Sequence, residues 1–218
     1  MSSTQFDRPV AVTPGSGDPD APLVVLLHGR GSDESSILSL VPSLPRGPMY
    51  AAVRAPIREG RGFAWFANRG IGRPVAESLA ETITWFTEWL DSAAPDGRPV
   101  VLVGFSGGAA FAGGLVLSDP RRYAGAAILL GTLPFDAGVP VRAHGLDGTH
   151  IFVAQGAQDS VIPRDLLDRT WTYLHSDSGA EVVSRRDAAG HTITPETLAA
   201  LGNWLATLTE KTSGASSA

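Results

Sequence analysis

Three polar side chains sit in glycine-flanked segments directly after apolar runs, in the order serine, aspartate, histidine. Ser106 lies in VVLVGFSGGAAF, where Gly104-Phe105-Ser106-Gly107-Gly108 fits G-x-S-x-G. A buried strand precedes it and a small-residue helix follows, the context that pattern requires. A tight strand-to-helix turn forces its central residue into a strained backbone, so its flanks must be nearly free of side chain. Gly104 and Gly107 meet that need, and Gly108 and Ala109 ease it. The Ser106 hydroxyl is then presented at a helix N-terminus, where partial positive charge favours a developing anion. The chemistry would be nucleophilic attack. Glycine-rich turns of this kind also bind phosphate, but a dinucleotide fingerprint needs G-x-G-x-x-G and a Walker A loop needs Gly-Lys-Ser/Thr. Neither pattern occurs here.

A serine hydroxyl needs a general base, usually histidine. The chain has five. His28 precedes Ser106 inside LLHGRG and suits a structural role within its loop. His144 and His150 flank a loop and a strand start, and His175 falls late in a helical stretch. His191 lies in AAGHTIT, between the last strand and the last helix, where the base follows nucleophile and acid in chain order. The acid that orients the imidazole is expected at Asp159, in Gly156-Ala-Gln-Asp-Ser-Val-Ile-Pro after a strand. Asp165 and Asp168 are its rivals but fall within the following helix, where acids near the N-terminus are commonly structural. Asp147 precedes the strand, at the wrong sheet edge. Backbone N–H groups of Gly107 and of the loop after the early strand, best Arg30, would receive the oxyanion. The Arg30 side chain could meet an anionic substrate or lie in solvent. Phe63, Trp65, Phe66 and Val161 could line an acyl or aromatic pocket, with plain core packing the alternative.

These positions depend on strands that end at one edge. Leu23–Leu27, LVVLL, is an apolar run without alternation, as expected for a strand buried on both faces of a parallel sheet. Met49–Val53, Val100–Val103, Ala126–Leu130 and Ile151–Ala154 repeat that grammar. Val10–Val12 is a short candidate strand, and the more polar Glu181–Arg185 suits the sheet's periphery. Helices are expected at Pro74–Leu90, Gly107–Leu117, Arg164–Leu174 and Pro195–Leu208, the last with Thr194 as N-cap. Residues 54–74 break the pattern as a long irregular loop, a feature that is usually functional. Alternating strands and helices argue for right-handed crossovers and a doubly wound sheet.

At 218 residues, with 43% hydrophobic and 18% charged, the sequence reads as one α/β domain over 1–218 with flexible ends at 1–8 and 210–218. The net charge of −5 and the single lysine, Lys211, leave no footprint for nucleic acid. Without cysteine, there is no disulfide, thiolate nucleophile or Cys-ligated metal. Absence of a signal-peptide pattern and of a span of about 20 apolar residues points to a cytoplasmic protein with no membrane span.

The motifs together resemble the phospholipase/carboxylesterase family of the α/β-hydrolase superfamily, which includes acyl-protein thioesterases and small bacterial carboxylesterases. LLHGRGSDESS resembles its HGxG opening, GFSGGAAF its G-F-S-x-G elbow, GAQDSVIP its acid loop, GHTIT its base loop, and Trp65-Phe66 its W-F-D loop. They run from residue 23 to about 205 in the family's order. The resemblance implies an α/β-hydrolase fold: a doubly wound, mostly parallel sheet flanked by helices, with no large cap domain. It implies cofactor-free hydrolysis of short-to-medium acyl or aromatic carboxylic esters through an acyl-enzyme, with no metal and often as a homodimer. Ser106, Asp159 and His191 would be catalytic, Arg30 and Gly107 the oxyanion donors, and Val161 with Trp65 acyl-pocket residues. Acyl thioester or lysophospholipid hydrolysis, or a non-catalytic ligand-binding relative, are the alternatives. Gly107 stands where thioesterase-like members often carry Gln, Ala67 where the loop carries Asp, and Gln155 where the acid loop often carries His. These departures point away from protein depalmitoylation and toward a small bacterial-type esterase.

Overall fold

In the computed structural model, residues 6–13, 18, 21–95 and 97–215 are described. The strands are β1 (Ala11–Val12), β2 (Leu23–Leu27), β3 (Met49–Val53), β4 (Ile57–Glu59), β5 (Gly62–Ala64), β6 (Asn68–Gly70), β7 (Arg73–Pro74), β8 (Val100–Phe105), β9 (Gly125–Leu129), β10 (His150–Gly156) and β11 (Glu181–Asp187). The helices are α1 (Glu34–Leu38), α2 (Ala76–Ala93), α3 (Gly107–Ser118), α4 (Arg164–Thr172) and α5 (Pro195–Ala215).

Seven strands form one sheet in the order β1-β3-β2-β8-β9-β10-β11. All neighbours are parallel except β1, which pairs antiparallel with β3. From β2 the chain moves outward to β3, whose far side β1 covers, and then returns to the other side of β2 as β8. That reversal opens a crevice at the carboxyl ends of β2 and β8, where ligands of open α/β sheets bind.

The unbroken apolar runs of the central strands follow from burial on both faces. Val25, Leu27 and Leu102 face a core completed by Leu79 and Phe86 of α2, Phe111 of α3 and Leu166 of α4. Val24, Leu26, Val103 and Phe152 face a second core with Ile37 of α1 and Leu201, Trp204 and Leu205 of α5. Alternate residues of one strand thus serve opposite layers. β11 has one sheet neighbour and an alternating, half-exposed pattern, as its polarity suggests.

Several boundaries differ from expectation. Residues 54–74 are not one irregular loop but hold two small hairpins, β4–β5 and β6–β7. Gly60 (φ +59) and Gly72 (φ +71) take the left-handed backbone of their tight turns, which glycine accepts without penalty. Pro74 ends β7 rather than opening a helix, and α2 begins at Ala76. The helix after Pro163 is regular only to Thr172 and passes into a π turn over Tyr173–Asp177. α1 is an addition: Asp33 accepts a hydrogen bond from the Ser36 amide at 3.0 Å and caps its start. α5 continues to Ala215, so residues 210–215 are helical, whereas 1–5 and 216–218 lie outside the described residues. Among the described residues no helix is long and apolar enough to cross a membrane.

Candidate active site

Ser106 sits between β8 and α3 with φ 55° and ψ −114°. A non-glycine residue reaches that region only when its surroundings impose it. Here the glycines do so. A Cβ at Gly104 would collide with the Gly108 carbonyl, and one at Gly108 with the carbonyl of Leu27 in β2. The absence of those atoms lets strand and helix close over the turn. The Ser106 amide donates to Leu129 O at 2.9 Å, tying the turn to β9.

Asp159 and His191 arrive from the loops after β10 and β11. Asp159 Oδ1 accepts from the amides of Val161 (2.8 Å) and Ile162 (3.1 Å), which fixes its carboxylate. Asp159 Oδ2 lies 2.8 Å from His191 Nδ1, and His191 Nε2 lies 2.9 Å from Ser106 Oγ. An ionised carboxylate can only accept, so Nδ1 carries the imidazole proton and Nε2 is the lone-pair nitrogen facing the hydroxyl. The Asp159 side chain is fully buried, and that of His191 is partly buried beside the cavity. The His191 ring also packs against Phe105, with centroids 5.3 Å apart. The loop bearing His191 is pinned at both ends. Asp187, closing β11, accepts from Thr197 Oγ1 at 2.6 Å and from Thr194 Oγ1, and the Thr194 hydroxyl oxygen in turn caps α5 by accepting from the Thr197 amide at 3.0 Å. Burial pushes the Asp187 carboxyl up, but the two threonine hydroxyls and Arg185 outweigh it and bring it down to about 2.

The first turn of α3 and the loop after β2 approach closely: a Cβ at Gly107 would come within 3.2 Å of Arg30 N. Among the described residues neither the Arg30 nor the Gly107 amide has a backbone acceptor. Two unpaired N–H groups thus adjoin the serine at a helix N-terminus. The Arg30 side chain turns to Glu59, Nε lying 2.8 and 2.6 Å from the two carboxylate oxygens, with a second nitrogen on Oε1.

A cavity of about 600 Å³ opens over Ser106 and His191, with Trp65, Phe66 and Val161 in its lining. Trp65 does so from within the core. It stacks on Phe111 at 4.5 Å, and its indole N–H donates to His28 O at 2.8 Å. Phe63 is a correction: it lies outside the lining, its ring beneath the guanidinium groups of Arg54 (4.9 Å) and Arg58 (5.4 Å). Strand alternation explains this, since Phe63 pairs with Arg58 across the β4–β5 hairpin and takes the face opposite Ala64. Ile37, Leu40, Asn68 and Ile71 line the cavity without having been expected. The capping Asp33 ahead of an apolar pair was the available signal for the first two; the second pair depends on the β6–β7 hairpin.

The rival residues are engaged elsewhere. His28 is fully buried; its Nε2 accepts from the Ala55 amide at 3.1 Å, so Nδ1–H donates to Gly29 O at 2.8 Å. Burial holds its pKa below the usual value, which keeps it neutral. Asp165 pairs with Arg73 and Asp168 with Arg164 on the face of α4, while His144 pairs with Asp147 and His150 with Glu181. Among the described residues no group of three His, Asp or Glu could hold a metal.

A histidine bonded on one side to a carboxylate and on the other to a serine hydroxyl can take the serine proton as Oγ attacks a carbonyl. Adjacent free amides can receive the resulting oxyanion. The comparisons with known proteins identify the kind of enzyme at the coarser level of a hydrolase family. Residues 9–209 match the Phospholipase/Carboxylesterase family model. A carboxylesterase from Mesorhizobium loti superposes with a TM-score of 0.75 at 28% identity, over 85% of this chain and 88% of that one. The Bacillus cereus carboxylesterase gives 0.80 at 24% identity, over 91% and 93%. A phospholipase/carboxylesterase from Dyadobacter fermentans gives 0.67 at 21%, over 93% and 97%. The last two support the fold alone. No curated protein sequence is matched. With nearly its whole length matched, the chain belongs to the phospholipase/carboxylesterase family and has the α/β-hydrolase fold, as a hydrolase of carboxylesterase or phospholipase type.

Proposed function

We propose that the protein is a serine carboxylesterase that cleaves short-to-medium acyl or aromatic esters through an acyl-enzyme, with Ser106 as nucleophile, His191 as base and Asp159 as its orienter. The observation that carries this reading is the continuous hydrogen-bonded line Asp159 Oδ2–His191–Ser106 Oγ, opening onto an apolar-walled cavity. As Ser106 Oγ attacks the ester carbonyl, His191 Nε2 takes its proton, and Asp159 stabilises the imidazolium. The carbonyl oxygen gains charge while the amides of Arg30 and Gly107 donate to it. Collapse of the tetrahedral intermediate breaks the ester C–O bond, and the imidazolium returns the proton to the departing alkoxide. Water, deprotonated by His191, then releases the acid and regenerates Ser106. Trp65, Phe66 and Val161 form acyl-facing wall, and no cofactor takes part.

The test is Ser106→Ala assayed with p-nitrophenyl acetate and butyrate. The loss should be about 10⁴-fold or more if the three residues act as a unit. A fluorophosphonate should add covalently to wild type at Ser106. Activity near wild type in the variant, or no adduct, would overturn the assignment. A matched chain-length series of oxygen esters and thioesters separates esterase from thioesterase.

A further inference from the structure

Among the described residues, the cavity over Ser106 is lined by a single arginine, and its guanidinium is already paired. Among the described residues lining the cavity, only Arg30 and His191 are ionisable. His191 is committed to Asp159 and Ser106. Arg30 is one of the lining residues and its backbone passes Gly107, while its guanidinium is held in a two-pronged pair with Glu59, the last residue of β4. A bidentate Arg–carboxylate pair fixes both partners in a plane. The Arg30 guanidinium holds the Glu59 carboxyl below the ordinary range, so the pair stays ionised at neutral pH. Glu59 is itself held in place by its hairpin. Gly31 N–H donates to Phe63 O and Phe63 N–H to Ser32 O, each at 2.9 Å, joining β5 to the Arg30 loop. The nearby cations are likewise engaged. Arg54 pairs with Glu34, and both Arg54 and Arg58 lie over the Phe63 ring, outside the lining. The remaining polar lining is uncharged, including the hydroxyls of Ser32 and Ser36, bonded to each other at 2.5 Å.

We propose that Glu59 is a specificity-determining residue: by sequestering the Arg30 guanidinium it leaves the cavity without a free charge, and the substrates are esters uncharged in both acyl and alcohol parts. An anionic substrate would lose hydration on entering and find no partner, which burial of a carboxylate does not tolerate. This rests on the esterase reading of the same site. Releasing Arg30 would place a cation at the cavity wall, with the oxyanion amide of the same residue unchanged.

The experiment compares diethyl adipate with monoethyl adipate, esters of one chain that differ by one carboxylate, by pH-stat at pH 7.5 and low ionic strength. Wild type should favour the diester. Glu59→Gln should raise the monoester-to-diester ratio of kcat/KM about three- to fivefold, the scale of an exposed ion pair. The rise should shrink with added salt and vanish in the double variant Arg30→Gln/Glu59→Gln. A purely structural role for Glu59 would depress both substrates alike and leave the ratio in place. Wild type turning over the monoester as well as the diester overturns the proposal, and so does a ratio unmoved by Glu59→Gln. If Glu59→Gln does not fold, the wild-type preference still decides. Wild type that neither hydrolyses the diester nor takes a fluorophosphonate at Ser106 would sink the esterase reading itself, whereas a labelled, active enzyme with an unmoved ratio sinks only the role of Glu59.

Discussion

The assignment of roles turns on individual atoms. Asp159 gives one carboxylate oxygen to two backbone amides and the other to His191, so under the proposed mechanism it would hold the imidazole with Nδ1 protonated. Asp159→Asn keeps the shape but can present an N–H toward Nδ1, which favours the wrong tautomer. The expected result is a fall in kcat of about 10³–10⁴-fold with little change in thermal midpoint. A kcat within about tenfold of wild type would remove Asp159 from the mechanism. At this scale much was legible in the sequence. Ser106, Asp159 and His191 stand in glycine-flanked segments after strands, and the structure brings the three into hydrogen-bonding contact. The partner of Arg30 was not legible. Glu59 lies 29 positions away in a segment that carries no strand-like alternation, and nothing local links the two.

Elements set where these atoms sit, and two of them can be tested separately. The His191 loop leaves β11 at Asp187 and enters α5 at Thr194 and Thr197, and Asp187 joins both ends. Its carboxyl is about 2 in the folded protein against an ordinary 3.8. A depressed carboxyl stabilises the fold above its unfolded value and loses that contribution as pH falls through the folded one. Asp187→Asn should therefore lower stability by about 1–2 kcal/mol at pH 7. The gap from wild type should close as pH drops from about 4 toward 2. Urea midpoints at pH 7, 4 and 3 measure it, and a gap independent of pH would show that the ionised carboxylate is not what holds the loop. The elbow offers the second test. Gly108→Ala puts a methyl into the carbonyls of Leu27 and His28, so α3 must move off β2. It should cost about 3 kcal/mol, the upper range of core overpacking, whereas Gly190→Ala, whose added Cβ would come no nearer than 3.8 Å to Gln158 O, should be tolerated. Strands were legible as elements because burial on both faces produces unbroken apolar runs. The hairpins in 54–74 were not, since each strand spans three residues or fewer, and distant partners, the loop after β2 for β5 and Ser78 for Ala67 beside β6, help to hold them.

At the scale of the molecule, the parallel sheet separates two cores that share no buried side chain. Phe86 of α2 belongs to one and Phe152 of β10 to the other, both fully buried. Phe86 meets Phe111 edge-on at 5.5 Å, within the stack that carries Trp65 to the cavity wall. Phe152 packs on Trp204 at 5.8 Å, on the far side of the sheet from that stack. Replacing either with leucine removes ring volume while keeping an apolar side chain, a change of about 1–2 kcal/mol each. Because the two sites have no common partner, the double variant should lose the sum within about 0.5 kcal/mol. Activity should divide differently from stability. Phe86→Leu loosens the layer behind Trp65 and should raise KM for the longer acyl esters, while Phe152→Leu should leave KM in place at equal loss of stability. Equal effects of the two variants on KM would mean that the sheet passes strain from one layer to the other, and that the cavity is shaped by the whole sandwich rather than by the face on which α2 and α3 pack.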